Sequence, residues 1–172
     1  MEPEQDMTGQ EKHQQWVLRL LFDNRTSMGK YIVRTGLISL VPSMMIAIIL
    51  AAAGILTKEM APPFKAPALE LFVLGVIVGP PVETLIMGGV LWVLSLVTKR
   101  KVPLAVMSAL VWAGAHSTSA PAWGLGVLWP FFVFSCSYLA WRQRAWWRAI
   151  FVTSCVHTFQ NLLPVIVVIL TR

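Results

Sequence analysis

Residues 67–97 read PALELFVLGVIVGPPVETLIMGGVLWVLSLV. Over these 31 residues the only charges are Glu70 and Glu83. A stretch this apolar belongs in lipid. As one helix it would extend about 46 Å at 1.5 Å per residue, well beyond a hydrocarbon core of about 30 Å. Gly79-Pro80-Pro81 interrupts it, and proline removes a backbone donor and kinks or breaks a helix. The sequence therefore predicts a short segment, Pro67–Val78, followed by a main helix, Val82–Val97.

The same pattern repeats on both sides. Lys99-Arg100-Lys101 closes the main helix. Apolar spans follow at Val102–Ser117, Pro121–Trp141 and Ala149–Leu170. Between the last two lies a belt of tryptophans and arginines, Trp141 to Arg148, of the kind that sits at headgroup level. Upstream, a loop is expected at Thr57–Ala66, around Pro62 and Pro63, and a span at Tyr31–Leu56, with Arg34 snorkelling to the interface. Glu11–Asn24 reads as an amphipathic helix with Trp16, Val17, Leu20 and Leu21 on one face. It suits either the headgroup region or packing against the bundle. Met1–Gln10 reads as disordered, and no signal peptide is recognisable. The expected fold is all-α: a polytopic transmembrane bundle of about five spans with an N-terminal interfacial helix. Residues 1–30 form an N-terminal cytoplasmic segment and residues 31–172 the membrane domain.

Composition agrees. The chain is 56% hydrophobic and 13% charged, against about 25% charge in an average soluble domain. Its net charge of +6 flanks apolar spans, so the partners it implies are anionic lipid headgroups, with no role for nucleic acid. Cys136 and Cys155 both fall inside spans, which argues against a disulfide framework. With five spans, eleven of the fourteen Lys and Arg residues collect on the N-terminal side. The positive-inside rule then places the N-terminus in the cytoplasm of a multi-pass cell-membrane protein, as in a bacterial inner membrane.

Ionisable groups inside spans are costly and so mark function. Four polar residues stand out. Glu83 lies just beyond the Pro-Pro break, His116 late in its span, and His157 and Asn161 midway along the last span. The last two are four residues apart and share a helical face; Gln160 lies on a neighbouring line. Glu70 reads as a loop-side charge. Packing offers a plainer role for each histidine, and interhelical hydrogen bonding one for Asn161. Together the four residues suit three chemistries. A carboxylate can take a proton from water while His and Asn hold an oxyanion. Glu and two His can bind a water-activating metal. Glu83 can also carry a proton in transport, a use weakened by the small number of spans. His-Glu-x-x-His and Gly-x-Ser-x-Gly are both missing.

The order Glu83, His116, His157-x-x-x-Asn161 resembles the CAAX-protease and bacteriocin-processing family (Abi or CPBP), whose members are intramembrane glutamic peptidases. Its pattern is Glu-Glu-x-x-x-Arg, then Phe-x-x-x-His, then His-x-x-x-Asn or Asp. Here the first motif reads Pro81-Val-Glu83-Thr84-Leu-Ile-Met-Gly88-Gly89, with the proline and the trailing glycine common in the family. The second reads Trp112-Ala-Gly-Ala-His116, and the third, His157-Thr-Phe-Gln-Asn161, is intact. The likeness covers about half the chain, Gly79 to Pro164. Thr84 stands where the family has its second Glu and Gly88 where it has Arg. The chain is also shorter than the family's eight-span members.

The resemblance implies that Glu83 is the general base, His116 its partner, and His157 with Asn161 the oxyanion pair. It implies no cofactor and no metal. The function expected is an intramembrane endopeptidase acting on a membrane-anchored protein or peptide. Prenyl-protein processing is not implied. The alternative is a non-enzymatic immunity or scaffold protein on the same fold, favoured by Thr84 and Gly88 and opposed by the third motif.

Overall fold

The computed structural model describes residues 9–54 and 66–171. The expected disorder of the first residues, up to residue 8, and the loop at Thr57–Ala66, apart from Ala66, lie outside them. The described chain is all-helical: α1 (Gly9–Phe22), α2 (Met28–Ala52), α3 (Ala68–Phe72), α4 (Gly79–Leu94), α5 (Lys101–Ser117), α6 (Pro121–Trp141) and α7 (Trp146–Leu170). A single wide turn, Val73–Val78, joins α3 to α4 in π-helical geometry.

The long apolar stretch therefore does not break at Gly79-Pro80-Pro81. Both prolines sit in the first turn of α4, where a missing N–H is tolerated. The π turn absorbs the misfit, and the helix continues from Ala68 to Leu94 over 27 residues. At about 40 Å it exceeds the hydrocarbon thickness and must tilt.

Among the described residues, four helices are long and apolar enough to cross a membrane: α2, the α3–α4 unit, α6 and α7. The chain is a multi-pass membrane protein. The 17-residue α5 stands at the lower limit for a span and lies antiparallel to α6. Ser108 meets Ser135, Trp112 stacks on Phe131 and His116 abuts Trp123. The same reasoning orders the rest. In α6 and α7, Ser137 meets Thr153 and Phe134 meets His157, so these two run antiparallel. In α2 and α6, Tyr31 meets Trp141 and Ile38 meets Trp129, again antiparallel. Helices α2, α5 and α7 thus run antiparallel to α6; four helices qualify as spans where about five are expected, because α5 is only 17 residues long.

The central helix is α6, which has 21 residues. Phe131, Val133, Phe134, Cys136 and Trp141 are all buried within it. By contrast α2 turns Val33, Leu37, Val41, Met45 and Ile48 outward, the surface a lipid-facing helix needs. Small hydroxyls act between helices: Ser135 donates to Ser108 (2.9 Å) and Thr153 to Ser137 (3.2 Å), the interhelical bonding that lipid favours.

Of the two readings of α1, packing is the one observed. Leu21 is fully buried in a cluster with Ala105, Val133 and Cys136. The last carbonyls of a helix lack intrahelical donors. Here the Tyr31 hydroxyl donates to Leu21 O (2.6 Å) and Arg34 to Leu20 O (2.8 Å). Arg34 also pairs with Asp23 at 3.4 Å. It is bound to protein, and the expected snorkelling is not what holds it.

Pro42 lies inside α2. Its missing N–H leaves the carbonyl four residues earlier, on Ile38, without its helical donor. The Trp129 indole N–H supplies one at 2.9 Å. Trp129→Phe keeps the ring and loses that donor. It should lower unfolding stability in detergent by about 1 kcal/mol, the scale of an unmet buried acceptor. An unchanged unfolding curve would show that Ile38 finds another donor.

Candidate active site

The carboxylate and the imidazole of the last span meet at mid-bundle. Glu83 lies on the second turn of α4, two residues beyond Pro81. Its Oε2 is 3.7 Å from His157 Nε2. That exceeds a direct hydrogen bond. It is the separation that a small shift or one shared water closes, as often happens before substrate binds. The Glu83 side chain is 32% exposed, whereas that of His157 is 4% exposed. The pair thus joins a partly exposed carboxylate to an enclosed ring.

Aromatics of α6 fix that ring. His157 stacks on Phe134 with centroids 4.3 Å apart and meets Phe131 edge-on at 5.5 Å. Packing on two sides holds its orientation, as a preorganised catalytic group requires. Neither phenylalanine has a sequence signal of its own in so apolar a helix.

His116 occupies a separate layer. Its ring lies 5.3 Å from Phe131 on centroids, and Trp123 contacts it edge-on. Phe131 therefore contacts both imidazoles. The carbonyl of Trp112 accepts from His116 Nδ1 at 2.9 Å. Because a carbonyl only accepts, Nδ1 carries the proton and Nε2 keeps its lone pair in the neutral ring. The resemblance implied His116 as the partner of Glu83; the imidazole found within 4 Å of the carboxylate among the described residues is that of His157.

Asn161 shares the His157 face, as its spacing predicts. One amide N–H is engaged: Nδ2 donates to Gly75 O, in the π turn, at 2.9 Å. Beside it, Thr158 donates to Val76 O at 2.8 Å. Sequence reading did not single out Thr158. Glu70 is exposed at the start of α3, away from the pair.

Three buried polar atoms near the pair have no hydrogen-bond partner among the described residues: Thr84 Oγ1, Ser154 Oγ and Gln160 Oε1. Thr84 follows Glu83, and Ser154 and Gln160 lie one turn on either side of His157. Buried polar groups are normally satisfied, and these three are not paired with one another. Ser154 and Pro81 also line an open groove of about 260 Å³, otherwise walled by Trp146, Trp147, Ile150 and Phe151.

Comparison with family models, with curated proteins and with solved structures gives no match. The functional reading rests on the site's own geometry.

Thr84 and Gly88 are both buried in α4. Thr84 is 1% exposed, at a position closed to a charge without a partner. Gly88 is backed by α6: a methyl group there would stand 2.6 Å from the Tyr138 hydroxyl. An arginine side chain cannot occupy that place while Tyr138 does. Among the described residues, no three His, Cys, Asp or Glu side chains lie close enough to hold one metal ion.

Proposed function

We propose that this protein is an intramembrane endopeptidase of the glutamic type, cutting a membrane-anchored protein or peptide. The observation that carries the reading is the reachable Glu83 carboxylate 3.7 Å from the enclosed His157 imidazole, midway along two spans. A carboxylate there takes a proton from water as the water oxygen bonds to the scissile carbonyl carbon. The carbonyl electron pair moves to oxygen, and N–H donors hold the oxyanion. His157 and the second N–H of Asn161 are the donors nearest to hand. When the C–N bond breaks, the proton on Glu83 passes to the leaving amine.

The mechanism uses the carboxylate directly. Processing by purified protein should therefore survive stripping with a strong chelator. Activity that is lost on stripping and returns with zinc would favour the metal mechanism.

The orientation belongs to the same proposal. With α2, α5 and α7 antiparallel to α6, Lys99, Arg100, Lys101, Arg142, Arg144 and Arg148 stand at the N-terminal end of the bundle, and all but Arg148 are exposed. A basic belt of this kind faces the anionic cytoplasmic leaflet of a cell membrane. A reporter fused after Lys101 should read cytoplasmic and one fused after Arg172 extracytoplasmic. A cytoplasmic signal from the second would overturn both the orientation and the odd number of passes.

A further inference from the structure

The π turn before Glu83 leaves two carbonyls that the backbone cannot serve. Val76 O would receive the N–H of residue 80 in α-helical register or of residue 81 in π register. Both are prolines and have none. Gly75 O would receive the N–H of Gly79 in α register, but that N–H bonds to Leu74 O instead. In π register its donor would be Pro80. Unpaired carbonyls inside a membrane bundle are expensive, and neighbouring helices have to supply donors.

The donors to these two carbonyls come from α7. Thr158 Oγ1 bonds to Val76 O at 2.8 Å, and Asn161 Nδ2 to Gly75 O at 2.9 Å. The two side chains are three residues apart and share a face of α7. They flank Gln160 and follow His157 by one and four residues. The segment is also closely apposed to α7: a methyl group on Gly75 would stand 3.1 Å from Val165. The helix that carries His157 thus holds the turn that launches Glu83.

We infer that Thr158 and Asn161 form a two-point latch on the π turn, and that Thr158 is a positioning residue setting Glu83 against His157. Thr158 touches neither reacting group and acts through Val76 and the start of α4. Asn161 is a latch residue first, with only its second N–H available to an oxyanion. The effect on chemistry rests on the peptidase reading above; the latch itself does not.

The test removes the donor and then the need for it. Thr158→Val is nearly isosteric and lacks the hydroxyl; Thr158→Ser keeps it. Pro80→Ala restores a backbone N–H that can serve Val76 O. The readout is amide hydrogen exchange of residues 73–84 in the full chain in lipid nanodiscs, with processing measured alongside. Thr158→Val should raise exchange there about tenfold, the scale expected for an unmet buried acceptor, and leave α5 and α6 unchanged. Thr158→Ser should behave as wild type. In the Pro80→Ala background Thr158→Val should have little further effect. If Thr158→Val alone fails to fold, recovery of the fold in the double variant makes the same point. Wild-type exchange in Thr158→Val, or loss of protection or of the fold in Thr158→Ser, would overturn the latch. Processing that falls with Thr158→Val and returns with Thr158→Ser supports the positioning role. The exchange pattern without any processing by the wild-type chain would leave the latch standing and reject the peptidase reading.

Discussion

Replacing Glu83 by Gln should leave a chain that inserts and folds as before and processes its substrate at least about a hundredfold more slowly, the loss expected when a positioned base is removed. Two features of the site make the substitution clean. The Glu83 side chain is 32% exposed and the His157 imidazole, charged only when protonated, stands 3.7 Å away, so the folded state draws little stability from the charge. Gln has the same shape and still bonds to water and to an imidazole, but it cannot take a proton. Unfolding in detergent should therefore move by no more than about 1 kcal/mol while turnover collapses. Substrate held by the inert variant should co-purify with it. Normal processing by Glu83→Gln would reject every mechanism that uses the carboxylate and return the chain to the scaffold reading.

His157→Phe should produce the second large loss, about a hundredfold or more, with the fold retained. His157 is 3% exposed and already stacks on Phe134 and Phe131. A phenyl ring continues that aromatic stack, so the cavity that His157→Ala would open is avoided. What disappears is the nitrogen facing Glu83. Loss of one preorganised oxyanion donor costs on the order of 10²–10³ in turnover. His116→Phe makes the useful contrast, since His116 packs on Phe131 and pairs with its own helix. It should cost clearly less than His157→Phe. Equal losses from both would restore the division of labour in which His116 serves the carboxylate.

Much of this fold is legible in the chain. The bounds of α6, Pro121–Trp141, follow from a proline at its first position and arginines beyond its last. Elsewhere the boundary residues mislead. Trp146 to Arg148 read as part of an interface belt, yet α7 begins at Trp146, because a tryptophan at headgroup level is equally at home in a helical first turn. Gly79-Pro80-Pro81 reads as a break because proline removes donors. Continuity depends on Thr158 and Asn161, about eighty residues away, and no local rule contains them.

The site divides in the same way. Glu83 announces itself as a carboxylate in an apolar span, and His157 and Asn161 announce a shared face. Which histidine meets the carboxylate depends on how α4, α5 and α7 lean on α6, where the buried Phe131 contacts both rings. The accounting for Asn161 was within reach. Two prolines in succession imply orphaned carbonyls, and a Thr and an Asn three residues apart on another span are the groups able to serve them.

The central claim is that this chain cuts peptide bonds at the membrane with Glu83 as the base. The most direct test compares all N- and C-termini of membrane-associated peptides from cells expressing the wild-type chain or Glu83→Gln at equal levels. The account predicts at least one pair of new termini, in or beside a membrane-anchored segment, present with the wild type and absent with the variant. Identical sets of termini from the two would contradict it.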